Sequence, residues 1–419
     1  MIEILTEEWA IRALLASSMV GIMCGILGCF IVLRNMALIG DALAHAILPG
    51  IVIAFVIVGY STLAFFLGSV FAGIFSAVVI TWIQQKIKTK NDAAIGIVFT
   101  FMFSLGIIGI SWISRKQGVH LDLKDFLFGN VLGVSDQDLL LTFCVLIVVV
   151  FTVITFYRYL FVSTFQPIIA QTMGISVEMI HYLLMLLLSF AVVASLQTVG
   201  VILVVAMLIT PASTALLLSN KLVHVIIIAA CIGFITSVTG LLLAIVGETT
   251  PGPAMVLVAT FFYLLAVLFA PEKGYLAKYK ASRSLRTRIE LEDSIKHIFK
   301  LYEKNDLSFE TLKQVTSHNR STLKQNLVIL KEKGLLFFNN DDDITLTETG
   351  KEKAKHLIRA HRLWETYLVN EVGLTEEQIH DEAEQYEHLL TEEILDDLDA
   401  KLDFPIFDPH GSLIPKKKR

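Results

Sequence analysis

Nine apolar runs, each long enough to cross a bilayer, crowd into the first 271 residues of a 419-residue chain. A hydrocarbon core about 30 Å thick asks for roughly 17–25 apolar residues per crossing helix. The runs fall near 12–33, 42–59, 61–83, 93–113, 138–160, 179–197, 199–218, 222–246 and 253–271, and the count is eight to ten depending on how adjacent runs are divided. Backbone groups inside lipid must be satisfied within the segment, so runs of this length predict an all-α polytopic membrane domain. The pair over 179–218 is nearly continuous, with Gln197, Thr198 and Gly200 as its hints of a turn.

Charge divides the chain where the apolar runs stop. Residues 1–280 hold 13 Lys/Arg and 12 Asp/Glu, whereas residues 281–419 hold 21 and 27. The first part is lipid-solvated and the second water-solvated. That excludes a single soluble enzyme, a secreted disulfide scaffold and a disordered chain. The net charge of −5 does not describe a nucleic-acid-binding surface over the whole protein. Cys24, Cys29, Cys144 and Cys231 all lie in apolar stretches and are expected to be small buried hydrophobes. The opening MIEILTEEWAIR is acidic and lacks the basic start of a signal peptide.

Basic residues orient the spans. Lys86, Lys88 and Lys90 separate the third and fourth runs, and EKGYLAKYKASRSLRTR follows the last. Both segments are expected in the cytoplasm, with the N-terminus outside and the hydrophilic C-terminal part inside. Arg115 and Lys116 fall on the opposite side and go against the rule.

Polar groups in the spans are few. Asp41 and His45, in RNMALIGDALAHAILPGI, are spaced i, i+4 and share one helical face. Such a pair is costly in lipid unless paired, hydrated or bound to a cation. Spacing alone leaves a divalent-cation site and a structural Asp–His lock equally open.

VLRNMALIGDALAHAILPG resembles the signature of the ABC-3 family, the permeases of ATP-driven manganese, zinc and iron uptake systems. FLFGNVLGVSDQDL (126–139), SLQTVGVILVVAMLITPASTA (195–215) and PGPAMVLVATFFYLLAVLFAP (251–271) are similar to further family segments, in the family's order. The resemblance implies that Asp41 and His45 line the metal path. It also implies a bacterial plasma-membrane location, a second permease subunit (the same or a homologous chain), a cytosolic ATPase dimer and an extracellular metal-binding lipoprotein. VSTFQPIIAQTMGIS (162–176) resembles the loop that docks on the ATPase, which carries the docking role onto Phe165, Gln166, Pro167, Ala170 and Gly174. Gln166 departs from the family's usual acidic residue. The chain has no GxxxxGK[ST] motif, so ATP hydrolysis is expected in a separate chain and this one is not expected to be an enzyme.

Beyond a basic juxtamembrane linker at 272–290, the pattern becomes soluble and helical. LEDSIKHIFKLYEKND sets Ile295, Ile298, Phe299 and Tyr302 on one face; FETLKQVTSH and NRSTLKQNLVILKEKG follow as helices, and LLFFNNDDDITLTETG reads as a hairpin. Three helices and a hairpin over 291–348 predict a cytoplasmic winged helix-turn-helix, and helices near 349–370, 375–390 and 391–402 predict a second, helical domain over 349–415. In that second domain His361 and Glu365, His380 and Glu384, and Glu384 and His388 are each i, i+4, with Glu387 beside them. Carboxylates and imidazoles repeating on neighbouring faces have the composition of a transition-metal site, although a solvated charged face is the commoner outcome for any single pair.

HRLWETYL…GL…IHDEAEQYEHLLTEEILDDLDAKLDFPIFDPHG is similar to the metal-binding and dimerisation region of the DtxR/MntR metal-responsive repressors. The resemblance, with the winged helix, covers about 290–415 and is to the shorter manganese-type members. It carries ligand roles onto His361, Glu365, His380, Glu384, Glu387, His388 and, from the first helix, Asp293. Glu384 stands where iron-type members have cysteine, a hard donor that favours Mn²⁺; Zn²⁺ or Fe²⁺ are the alternatives. The manganese-type carboxylate of the first helix falls on Lys296, which cannot ligate. DNA is not expected as a partner. His318, Arg320, Lys324, Lys331 and Lys333 could meet phosphates, but the wing carries Asp341, Asp342 and Asp343.

The reading is therefore a permease subunit of a divalent-metal importer, manganese first, with a fused cytosolic metal sensor that feeds back on transport. A zinc permease of the same architecture, or a membrane-anchored metal-dependent transcription regulator, are the alternatives.

Overall fold

The computed structural model describes residues 7–59, 61–87, 90–117, 131–316, 319–338, 344–375, 379, 383–384 and 386–416, without the side chains at 62, 85, 91, 116, 117, 132 and 197. His318, Asp341, Asp342, Asp343 and His380 lie outside the described residues. The chain forms two compact units, residues 1–278 and 279–419.

In the first unit, α1 (Glu8–Leu33) leads into a short α2 (Ile39–Ala46) and α3 (Leu48–Val58). The helices α4 (Thr62–Ile87), α5 (Asn91–Gln117) and α6 (Asp136–Thr155) follow. Two small helices, α7 (Tyr157–Phe165) and α8 (Pro167–Thr172), precede α9 (Val177–Val199), α10 (Val201–Leu218), α11 (Leu222–Val246) and α12 (Pro251–Phe269). Among the described residues nine helical segments, α2 and α3 counted as one, are long and apolar enough to cross a membrane.

Local chemistry sets the boundaries. Ser135 and Asp138 form a capping box at the start of α6. Gly200, at φ +79°, separates α9 from α10 and lets two nearly continuous apolar runs become two helices. α1 is the central helix, with 78% of its span window buried. Its glycines let backbones touch: a Cβ at Gly25 would lie 2.6 Å from the Ala229 carbonyl oxygen of α11. Large apolar side chains such as Ile57, Phe71 and Leu257 cover the outer surface, as lipid contact requires. Cys24 and Cys29 are buried as expected, but Cys144 and Cys231 are exposed on this outer surface. An apolar run does not tell its lipid face from its protein face.

In the second unit, the later part of α13 (Tyr275–Glu303) packs with α14 (Phe309–Thr316), α15 (Arg320–Glu332) and an antiparallel hairpin, β1 (Leu336–Phe338) and β2 (Ile344–Leu346), paired Leu336 to Leu346. Ile295, Ile298, Phe299, Leu312, Leu323 and Leu327 form the core. Tyr302 does not join it; it is 43% exposed beneath the Lys351 ammonium. Thr347 caps α16 (Glu348–Tyr367) by accepting from the Gly350 N–H at 2.9 Å. Buried Arg359 of α16 holds α17 (Glu392–Lys401) through Asp399 at 2.7 Å and Asp396 at 3.2 Å.

Candidate metal centres and docking surface

The membrane unit brings Asp41 and His45 together on α2. Asp41 Oδ1 and His45 Nε2 are 3.6 Å apart, with side-chain exposures of 47% and 18%. The His45 ring packs against Phe99 and Phe103 of α5, with centroids at 5.5 and 5.2 Å. Pro49, near the start of α3, has no N–H to give to the carbonyl four residues back, that of His45. The helix therefore breaks directly after this pair, leaving a half-open carboxylate and an imidazole beside an aromatic wall.

The α7–α8 segment presents apolar side chains outward. Phe165, Ile168, Ile169 and Met173 are 48, 76, 46 and 66% exposed, whereas Ala170 is fully buried. Gln166 (φ −139°) breaks the helix, Pro167 starts the next turn, and Gly174 (φ +77°) ends it. Arg34, just beyond α1, ties this segment down by donating from Nη2 to Ser163 Oγ at 2.7 Å and from Nε to Thr164 Oγ1 at 3.2 Å.

The cluster of the second unit is assembled from two helices and a third segment. α13 gives Glu292, Asp293 and Lys296, one helical turn apart. α16 gives His361 and Glu365, with Nε2 to Oε1 at 3.1 Å. Residues 384–388 give Glu384, Glu387 and His388. Glu387 is the hub. Its Oε2 lies 2.6 Å from His361 Nδ1, and its Oε1 lies 3.6 Å from His388 Nε2 and 2.5 Å from Lys296 Nζ. His388 Nδ1 meets Glu292 Oε2 at 2.8 Å, and its Nε2 meets Asp293 Oδ1 at 3.4 Å. Lys296, Glu365, Glu387, His361, His388 and Glu292 are buried, and Glu384 sits half-exposed at the rim, 4.0 Å from Lys296 Nζ.

Protons balance this negative charge. Burial pulls His388 down, but hydrogen bonds with Asp293 and Glu292 outweigh it and push the imidazole up to about 9. Burial likewise opposes protonation of His361, and the bonds to Glu365 and Glu387 raise it. Glu292 is held down at about 2: burial opposes ionisation, and His388, Lys353 and Arg288 overcome it. Asp293 is lowered for the same reason, by His388 and Lys296 against burial. One ligand atom each from Asp293, Glu387 and His388 lie within 4.8 Å of one another. Two hard oxygens and one imidazole nitrogen fit a divalent first-row metal.

Residues 6–270 match the ABC 3 transport family. The chain belongs to that family. Residues 347–416 of this permease match the metal-binding and dimerisation domain of iron-dependent repressors. The permease is 48% identical over 277 residues to the manganese transport system membrane protein MntC of Halalkalibacterium halodurans, covering 66% of this chain and 92% of the relative. The Bacillus subtilis protein of the same name is 36% identical over 373 residues, which is 88% of this chain and 85% of the relative. Among solved structures, PsaBC from Streptococcus pneumoniae in complex with Fab aligns with TM-score 0.60 and 39% identity over 67% of the permease and 98% of that chain.

Of the site residues expected from sequence, Asp41 and His45 meet as a pair. Asp293, Glu387 and His388 meet as a triad, and His361 with Glu365 joins it through the second oxygen of Glu387. Two participants were missed. Glu292 holds the far nitrogen of His388, and its signal was only its place beside Asp293. His410, in a loop closed by the Phe407–Leu413 bridge, brings Nε2 to 3.8 Å from Glu365 Oε1; it lies in the quoted FDPHG segment but has no helical spacing to mark it.

Proposed function

We propose that this ABC-3 permease conducts Mn²⁺ as a membrane subunit of an ATP-driven importer, and that its C-terminal unit senses cytosolic Mn²⁺ and restrains uptake when loaded. The observation that carries the reading is the presence, in one chain, of a membrane Asp–His pair and a separate buried carboxylate–imidazole cluster. The relatives' description as manganese transporters supports Mn²⁺ over Zn²⁺ as the cargo. The exposed apolar side chains of the α7–α8 segment are the proposed seat for a separate cytosolic ATPase dimer. An extracellular lipoprotein delivers the ion, and a second permease chain completes the pore.

Topology supports the placement. Four spans separate the α7–α8 segment from the end of α12, and two separate it from the Lys86 loop. Even numbers return a chain to the same side, so the docking segment, the basic loop and the C-terminal unit share the cytoplasm.

The test of the path is radiolabelled Mn²⁺ uptake in cells that depend on this chain. Asp41→Asn and His45→Gln should each cut initial uptake at least about tenfold, the scale of one lost charged contact. Unchanged uptake in both would remove the pair from the path.

A further inference from the structure

Lys296 is the unexpected occupant of the cytosolic cluster. Its side chain is 3% exposed, and an ammonium that deep is retained only where carboxylates compensate it. Three do: Glu387 Oε1 at 2.5 Å, Asp293 Oδ1 at 3.8 Å and Glu384 Oε1 at 4.0 Å. The first two oxygens are also the ones nearest His388 Nε2, at 3.6 and 3.4 Å. An ion held by Asp293, Glu387 and His388 would draw on the same two carboxylates that now compensate the ammonium.

We propose that Lys296 is a tethered competitor for the metal. Its ammonium holds Glu387 and Asp293 in the metal-free domain, and a divalent ion enters by displacing it. Two positive centres sharing one carboxylate oxygen repel each other strongly in a buried site, so the ammonium must withdraw. Glu384, half-exposed at the rim and already within 4.0 Å, is the carboxylate left to receive it. Competition of this kind weakens metal binding, so the domain fills only at ion levels above those that would load the same ligands without the lysine. The inference rests on the metal-sensing reading above and adds to it the residue that sets the threshold.

The series Lys296→Met, wild type and Lys296→Arg tests this in the full-length protein in detergent, with Asp41→Asn and His45→Gln present throughout to silence the membrane pair. Mn²⁺ alone is titrated and the free ion read by electron paramagnetic resonance. Methionine keeps the length and removes the charge, whereas arginine keeps the charge and grips a carboxylate more firmly. The expected Kd for Mn²⁺ falls at least tenfold in Lys296→Met and rises in Lys296→Arg. Thermal melting in chelator, then with Mn²⁺, should show a larger metal-induced rise in Tm for Lys296→Met than for wild type. If Lys296→Met does not fold, the weakened binding of Lys296→Arg still decides. Equal Kd values across the series would leave the sensor standing and overturn the competitor. Binding by Lys296→Met but not by wild type would uphold the competitor in its strongest form and overturn the sensor. No binding by any member would overturn both.

Discussion

Glu387 uses both carboxylate oxygens, Oε2 toward His361 Nδ1 at 2.6 Å and Oε1 toward Lys296 and His388, so removing its charge takes one carboxylate partner from each of three basic groups at once. Glu384 lies at the rim, with Lys296 Nζ at 4.0 Å. Glu387→Gln should therefore weaken Mn²⁺ binding by more than the roughly 10–100-fold of an outer-shell change, and Glu384→Gln by much less. Titration of both variants beside wild type checks the order. Metal binding also requires a neutral imidazole. Because His388 titrates at about 9, an ion at its Nε2 must expel a proton at pH 7, and affinity should climb up to about tenfold per pH unit until pH nears 9. Calorimetry in buffers of different ionisation enthalpy should count that proton. For the metal-free protein the sign is opposite: stability from the raised His388 is complete below its unfolded value of 6.5 and is lost as pH rises through about 9. The His361–Glu365 pair and the nearness of Glu384, Glu387 and His388 were legible in the sequence because helical spacing groups them, whereas Asp293 entered only through the resemblance. The role of Lys296 was not, since its partner Glu387 is 91 residues away and the contact is purely tertiary.

At the scale of elements, Arg34 joins the end of α1 to the α7–α8 segment. A charged hydrogen-bond donor contributes about 1.5–3 kcal/mol, and here two hydroxyls depend on it. Arg34→Gln should lower Mn²⁺ uptake per ATP consumed while leaving the amount of assembled permease unchanged; uptake and phosphate release measured together in proteoliposomes give the ratio. Small residues make a different prediction. Gly25→Leu would drive a side chain into the Ala229 carbonyl, and overpacking of this kind costs about 1–3 kcal/mol or more. A lowered Tm in detergent is expected. Hydropathy located the spans to within a few residues because lipid demands unbroken apolar length. It did not pair α1 with α11, nor show which cysteines face lipid, because hydropathy alone does not distinguish the two surroundings. Nor did the periodicity after residue 291 exclude Tyr302 from the core: the heptad-like spacing continued, but the helix ended beside Lys351.

On the scale of the whole molecule, the shift from sparse to dense charge near residue 280 announced two solvents, and the structure divides into compact units at 278. What the split could not show is how each half is tuned. The membrane unit exposes a carboxylate beside a broken helix. The second unit buries Glu292, Glu365 and Glu387 and faces its carboxylates with imidazoles and a lysine. The two arrangements suit an ion in passage and an ion read at a threshold. The central claim is that one chain both conducts Mn²⁺ and is restrained by it, which needs the ion to bind the restrained state more tightly. The most direct measurement is ATP-driven Mn²⁺ uptake by the reconstituted complex, with Mn²⁺ buffered at increasing levels on the cytosolic face, for wild type and Glu387→Gln. The account predicts that cytosolic Mn²⁺ slows wild-type uptake and leaves Glu387→Gln near its initial rate. Equal responses in the two proteins would contradict it.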